Sequence, residues 1–257
     1  MELKQGLYRV LELLTRGHGI ARKINSERIR FPAKWCRYYE SDYEIDTFAF
    51  LRANLIEGDT FLDIGGHIGL FAVVASKIVG EGGKVFTFEP TPFTREVLHQ
   101  VIEINGCSHN TEICSYAVSS HSGETVFFDT GDVISNANSL VRTSRSRGEI
   151  PVKVTSIDDF VNARQLAVKA LKIDVEGAEL DVLKGAATTL RTQRPVVRLG
   201  LHPESVASNG HSLEMIWTLI GTHHYLVEYR GKLMNAEQFC SQPTLFDVNL
   251  IPSKTSN

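Results

Sequence analysis

Two short runs hold the residue types most able to bind a ligand and act on it. The first is Asp63-Ile64-Gly65-Gly66-His67-Ile68-Gly69, an acid followed by closely spaced glycines. Gly65 and Gly66 permit backbone angles and a closeness of approach that a side chain would block. Gly69 lets a following helix pack tightly on the strand before the turn. Glu89 follows twenty residues later, in Phe88-Glu89-Pro90. A carboxylate at the end of the neighbouring strand can accept hydrogen bonds from both hydroxyls of a ribose. The second run is Lys172-Ile173-Asp174-Val175-Glu176-Gly177-Ala178-Glu179. Asp174 and Glu176 project there at a strand end, while Glu179 suits the first turn of a helix, where the dipole favours an acid.

The spacing in the first run decides between nucleotide ligands. A dinucleotide site needs G-x-G-x-x-G so that pyrophosphate can rest on a helix N-terminus. Here the pattern is Asp63-x-Gly65-x-x-x-Gly69. A carboxylate beside the turn repels pyrophosphate and suits the cationic amino end of S-adenosylmethionine. The sign of the charge therefore favours a methyl donor over NAD, and an NAD(P)-dependent oxidoreductase is the main rival reading. His202, closing Val196-Val197-Arg198-Leu199-Gly200-Leu201, lies on the same predicted sheet edge as Asp174. An imidazole with a pKa near ~6.5 can take a proton at neutral pH, which makes His202 a candidate general base. A structural hydrogen bond ahead of Pro203 is an equally good use of it. Asp174 could orient a hydroxyl or His202, or ligate a divalent ion. The sequence shows no compact set of carboxylates, so no obligatory metal is expected.

The elements that must position these residues follow from hydrophobic patterning. Apolar runs at Thr60–Ile64, Lys84–Phe88, Glu112–Val118, Ala170–Asp174 and Pro195–Leu201 read as buried strands. Helical stretches fall at Leu70–Val79, Thr94–Asn105 and Glu179–Arg191, and a further helix at His211–Gly221 precedes strands at Tyr225–Arg230 and Thr244–Ile251. Strands alternating with helices predict an α/β, Rossmann-like, doubly wound sheet. Seven strands are expected, mostly parallel, with an antiparallel edge strand. Ser119–Ile157 interrupts the alternation with strand-like runs at Glu124–Asp129 and Glu149–Thr155, predicting a β-hairpin insertion able to shape a substrate pocket. Residues 1–57 are expected to form an N-terminal helical or lid segment, with helices at Gly6–Leu14 and Glu44–Leu55, ahead of a catalytic domain spanning 58–257.

Composition narrows the partners. A formal net charge of −3 over 257 residues argues against a general nucleic-acid binder. The four cysteines form no CxxC pair and read as thiols of a reducing compartment. With no run approaching a membrane span and no apolar leader, a cytoplasmic protein is expected. The basic stretch Arg22–Lys34 is the one segment suited to peripheral contact with a membrane or an acidic partner.

The glycine turn, Phe88-Glu89-Pro90, Ala117-Val118-Ser119, the run from Lys172 to Glu179, Val182-Leu183-Lys184-Gly185-Ala186 and Leu201-His202-Pro203 together resemble the FkbM family of methyltransferases. The resemblance covers about Gly58 to Pro203, and the run at Lys172 is its most specific part. It implies a class I methyltransferase fold and O-methylation of a sugar, glycan or secondary-metabolite hydroxyl. By the same resemblance Asp63, Gly65 and Gly69 hold the methionine part of the cofactor, Glu89 the ribose, and Ala117, Val118 and Ser119 the adenine. Gly66, His67, Pro90 and Asp174 complete the expected cofactor set; His67 stands where the family often has Asn. His202, Asp174 and Glu176 form the expected catalytic set. A nucleic-acid methyltransferase is a second rival, disfavoured because no Asn/Asp-Pro-Pro-Tyr/Phe run is present.

Overall fold

The computed structural model describes residues 8, 10–131, 134–135 and 138–253. In chain order the strands are β1 (Ile20–Ile24), β2 (Glu27–Phe31), β3 (Thr60–Ile64), β4 (Lys84–Phe88), β5 (Thr111–Cys114), β6 (Ala117–Val118), β7 (Gly123–Asp129), β8 (Gly148–Thr155), β9 (Val168–Ile173), β10 (Val196–Leu201), β11 (Tyr225–Tyr229), β12 (Lys232–Leu233) and β13 (Phe246–Pro252). The helices are α1 (Ile45–Asn54), α2 (Leu70–Val79), α3 (Pro92–Ile104), α4 (Ile157–Arg164), α5 (Glu179–Lys184), α6 (Ala187–Thr192), α7 (Pro203–Ser208), α8 (Leu213–Thr222) and α9 (Ala236–Cys240).

The central sheet runs β12-β11-β13-β10-β9-β3-β4-β5. Its inner strands β10, β9, β3, β4 and β5 are parallel, whereas β13, β11 and β12 are antiparallel. Leu62, Ile64, Leu171, Ile173, Val197 and Leu199 are almost wholly buried, as expected for parallel strands covered on both faces by helices. After β3 the chain winds outward through β4 and β5, then returns to lay β9 against the other side of β3. That reversal opens a crevice at the carboxyl ends of β3 and β9, where doubly wound sheets take their ligands. Register places the crevice precursors level with one another: Ile64 pairs with both Phe88 and Ile173. Gly65, Glu89 and Asp174 are the next residues on three adjacent strands.

The α/β sheet is the expected one, with differences of detail. The eighth strand, β12, is only two residues long and forms a hairpin with β11 through Arg230 and Gly231, both in the left-handed region. Such a turn matches the twist of its flanking strands. The strand expected over Glu112–Val118 is split. Pairing with β4 ends once Glu89 N–H has donated to Cys114 O, because the next N–H on that side, that of Thr91, turns back to Glu89 Oε1. The chain then leaves the sheet, and Ala117–Val118 pairs instead with β8. The expected hairpin insertion is β7 with β8, so the insert is a three-stranded sheet, β6-β8-β7. The helix expected over Glu179–Arg191 breaks at Gly185, where an added Cβ would lie 2.2 Å from the carbonyl oxygen of Ser119.

The N-terminal stretch contains more than helix. Positions 10–14 are helical, while Gly6 and Leu7 of the expected first helix lie outside the described residues. The second expected helix is α1. Between them β1 and β2 form a hairpin whose turn, Asn25-Ser26, takes positive φ at both positions. Arg28-Ile29-Arg30-Phe31 alternates charged and apolar residues at the period of a strand. Ile29 and Phe31 are buried, and they share one core with Phe48 and Leu51 of α1 and with Phe61, Ile68 and Phe71. The basic stretch is thus the outer face of a hairpin that packs on α2 and α3, the helices covering one side of the sheet. The other side is filled by Leu180, Val182, Ile216 and Phe239, packed on Leu171 and Leu199.

Candidate active site

The glycine turn is built by close contacts. Gly65 and Gly66 both donate their N–H to the carbonyl of Phe88, at 3.2 and 2.9 Å, while Asp174 N–H donates to Ile64 O at 3.1 Å. A Cβ on Gly65, whose φ is +84°, would sit 2.0 Å from the backbone oxygen of Asp174, and one on Gly66 would sit 1.8 Å from Thr87 Oγ1. Neither position accepts a side chain. Gly69 is the N-cap of α2 at φ +89°, facing Leu98 of α3. These three glycines fix a bend on which the three strand ends converge.

A cavity of about 880 Å³, its mouth included, opens at this convergence. Gly65, Gly66, His67, Glu89, Pro90, Ala117, Val118 and Asp174, all expected to bind cofactor, are in its wall. Asp63, Gly69 and Ser119 are not. Asp63 lies just beneath the turn, 1% exposed, with Oδ1 lacking any hydrogen-bond partner and Oδ2 accepting from Thr87 Oγ1 at a long 3.4 Å. Burial lifts its carboxyl to about 6, although Lys172 pulls in the opposite direction. Gly69 serves helix packing, and Ser119 donates its N–H to Thr155 O. Glu89 is 6% exposed, and its Oε1 accepts the N–H of Thr91 at 2.8 Å. Burial raises Glu89 to about 7. A desolvated carboxylate with spare lone pairs, held at the wall of a nucleoside-sized cavity, fits the two hydroxyls of a ribose. His67, with φ +49°, is neutral: burial lowers it to about 4, and its Nδ1 meets Tyr39 Oη at 3.0 Å.

Beside this cavity the ends of β9 and β10 bring Asp174, Glu176 and His202 together. Nε2 of His202 lies 3.4 Å from Glu176 Oε1 and 3.7 Å from Asp174 Oδ1. Its Nδ1 donates to Glu179 Oε1 at 2.8 Å. Lys172, with its side chain 4% exposed, donates to Asp174 Oδ2 at 3.0 Å. Burial alone would lower Lys172, but Asp174, Asp63 and Glu44 outweigh it and hold the ammonium above its usual range. Burial likewise opposes the charged form of His202, yet Glu176, Glu179 and Asp174 lift the ring to about 11. The imidazole expected to stand neutral is therefore held protonated at neutral pH. Glu176 adopts φ +55° and is anchored through its carbonyl, which accepts from Ser139 Oγ at 2.9 Å. The sequence shows these acids in one run; the fold adds His202 from the next strand and makes the group compact.

Several cavity residues carried no site assignment from sequence. Tyr38, Tyr39, Tyr43 and Glu44 reach the wall from the segment before α1, and Ser135, Asn138 and Leu140 reach it from the insertion. Tyr38 packs edge-on to Tyr39 at 5.0 Å and against His67 at 5.0 Å. Burial raises both Tyr39 and Tyr43, so their hydroxyls stay protonated. The only advance signal was the bunching of three tyrosines within six positions.

A doubly wound sheet with a glycine bend, a ribose-ready acid and a cavity at the switch point defines a class I S-adenosylmethionine-dependent methyltransferase. Residues 63–231 match the model of the methyltransferase FkbM domain, and the chain belongs to the FkbM methyltransferase family. S-adenosylmethionine is its methyl donor. The hexuronic acid methyltransferase AglP of Haloferax volcanii is 30% identical over 168 residues, which cover 63% of this chain and 66% of that protein. Methyltransferase 1 of Beauveria bassiana is 28% identical over 146 residues, 49% of this chain and 58% of its own. The chain thus spans between about a third and two thirds of the length of the curated relatives it matches. Among solved structures, the SAM-dependent O-methyltransferase of Thermotoga maritima shares the fold with a TM-score of 0.50 and 13% identity, over 93% of this chain and 80% of that one. No described helix is long and apolar enough to cross a membrane.

Proposed function

We propose that this methyltransferase transfers the methyl group to a hydroxyl of a sugar or glycan, with uronic-acid-bearing sugars the first class to test. The observation that carries this reading is the placement of the Asp174–Glu176–His202 group against a wall residue of the cofactor cavity. Polar and aromatic side chains from two flanking segments line the same space. Aromatic rings with tyrosyl hydroxyls suit a sugar, which offers apolar C–H faces and polar edges. The name of the Haloferax relative supports the same acceptor class.

In this reading the cofactor's methionine part rests on the Gly65-Gly66-His67 bend. Glu89 would hold the ribose hydroxyls, and Pro90, Ala117 and Val118 would flank the adenine. The acceptor oxygen attacks the methyl carbon in line with sulfur. The C–O bond forms as the C–S bond breaks, and the sulfonium charge disappears. Alignment can supply roughly 7–11 kcal/mol of barrier reduction at most. A hydroxyl is a weak nucleophile near neutral pH, so its proton passes to a carboxylate, Asp174 or Glu176, beside the protonated His202 as the bond forms. Proton transfer of this kind is worth roughly 10²–10⁴-fold in rate.

Incubating the protein with S-adenosylmethionine and a panel of sugars and glycans, with and without uronic acids, tests the reading by mass spectrometry. A product heavier by one methyl group and stable to mild base, as an ether is and an ester is not, supports it. Methylation of RNA but of no sugar would overturn it.

A further inference from the structure

We propose that Asp174, Glu176 and His202 form a binding site for one divalent transition-metal ion of the manganese-to-zinc class, set in the wall shared with the cofactor cavity. One ligand atom from each residue lies within 4.8 Å of the other two. The Nε2–Oε1 and Nε2–Oδ1 separations of 3.4 and 3.7 Å are too long for good hydrogen bonds. They are close to the roughly 3–3.5 Å that separates neighbouring ligands around a cation with bonds of about 2.1 Å. The three atoms are thus close enough together to share one ion.

The residue behind the trio supplies an independent argument. Glu179 is 0% exposed, and its Oε1 takes both the Nδ1–H of His202 at 2.8 Å and the N–H of Gly177 at 3.0 Å. A carboxylate can only accept, so the bond assigns the hydrogen to Nδ1 and turns Nε2 toward Asp174 and Glu176. Metal-ligating histidines are held in this way by a carboxylate on their second nitrogen. The remaining oxygen of Glu179 is buried without a hydrogen-bond partner, so its charge faces no donor that could offset it. Lys172 occupies Oδ2 of Asp174 and leaves Oδ1 for a ligand bond.

Charge and space agree with a cation. Asp174, Glu176 and Glu179 surround His202 with negative charge, and Lys172, the buried cation bonded to Asp174, is shared with Asp63 and Glu44, so the site carries a negative surplus. Arg145 reaches Glu176 Oε2 at 3.7 Å, but from a side chain 60% exposed on the insertion, so it is a solvated neighbour and not a buried counter-ion. Gly200, on β10, keeps the site open, since a Cβ there would stand 3.3 Å from Asp174 Oδ1. One imidazole with two carboxylates favours Mn²⁺, Fe²⁺, Co²⁺ or Zn²⁺ over Ca²⁺, which prefers oxygens alone. The ion takes the place of the proton that Nε2 carries when no metal is bound. Its role in catalysis rests on the hydroxyl-methylation reading: with Asp174 and Glu176 engaged as ligands and no longer the proton acceptors, the ion would draw the acceptor oxygen in and favour the alkoxide, whose proton then leaves to water. The binding itself does not depend on that reading.

Titrating the metal-stripped full-length chain with Mn²⁺ (electron paramagnetic resonance) and with Zn²⁺ (calorimetry) tests the site, with S-adenosylhomocysteine titrated in parallel. One Mn²⁺ or Zn²⁺ per chain is expected. His202→Ala and Glu176→Gln should each weaken it at least tenfold, while Glu149→Gln, on the insertion strand β8, should not. Failure of wild type to bind either ion at millimolar concentration, or equal binding by both site variants, would overturn the proposal. Glu179→Gln should weaken the ion 10–100-fold; if that buried change unfolds the chain, Glu176→Gln still decides. Loss of S-adenosylhomocysteine binding in wild type would count against the methyltransferase reading alone, so the two failures are distinguishable.

Discussion

The two halves of the crevice are built differently. The cofactor half comes from contiguous sequence: a bend at residues 65–69 and an acid one strand away, locked by backbone hydrogen bonds to Phe88 and Ile64. The acceptor half is assembled from four places: the tyrosines before α1, the insertion, the end of β9 and the end of β10. The first half relies on geometry that only glycine allows. The second relies on charged side chains held by one another. Backbone-built sites tolerate little change, whereas side-chain clusters can be varied without disturbing the sheet.

Breaking the acceptor half should give the largest effect on turnover and little on cofactor binding. His202→Ala is expected to cut the methyl-transfer rate by roughly 10²–10⁴-fold, since it removes the ring that holds the proton-accepting carboxylates Asp174 and Glu176. Affinity for S-adenosylhomocysteine, measured by calorimetry, should stay within about twofold of wild type, because His202 is not in the cavity wall. A cofactor affinity that fell with the rate would erase the distinction between the halves. The converse variant is Glu89→Ala, which should weaken S-adenosylhomocysteine at least about tenfold by removing a charged acceptor from the ribose hydroxyls. Unchanged affinity would take Glu89 out of the site.

The same division explains what could be read in advance. Strands β3, β4, β9 and β10 were legible because each is a largely apolar run closed by a glycine, an acid or a histidine. The bend was legible because its glycines are forced by contacts with the neighbouring strand. The β1–β2 hairpin was not, because Arg22, Lys23, Arg28 and Arg30 drew attention to charge and hid the alternation of Ile29 and Phe31 beneath it. The detachment of Ala117–Val118 from its expected strand was equally hidden, since pairing partners thirty-seven residues apart leave no local trace. His202 and Glu179 are each ordinary in sequence; only the fold puts them 2.8 Å apart and changes the imidazole from a free base into a clamped cation. Asp63 shows the opposite: a residue prominent in the motif lies under the turn and out of the cavity wall.

The cofactor half can be sharpened by pH. Glu89 titrates at about 7 in the ligand-free site because it is desolvated. Ribose hydroxyls donate to the ionised form, so below pH 7 binding must first expel a proton, and above it none need leave. Affinity for S-adenosylhomocysteine is therefore expected to rise by about tenfold from pH 6 to pH 8 and then level off. Glu89→Gln carries no proton to lose, and its weaker affinity should change much less over the same window. A parallel slope in that variant would assign the pH dependence to another group.

The smallest expected effect tests whether the tyrosines belong to the acceptor half. Tyr38 sits in the cavity wall and packs edge-on to Tyr39, so replacing it removes ring surface without creating a buried hole. Tyr38 is 37% exposed. Tyr38→Ala should raise KM for the sugar acceptor several-fold, the loss of one aromatic contact of about 0.5–1.5 kcal/mol, with kcat and cofactor affinity little altered. Tyr38→Phe should recover most of that loss if the ring face makes the contact, and none of it if the hydroxyl does. A change in cofactor affinity instead would move Tyr38 to the other half of the crevice, and the boundary between the two halves would then run between Tyr38 and the insertion.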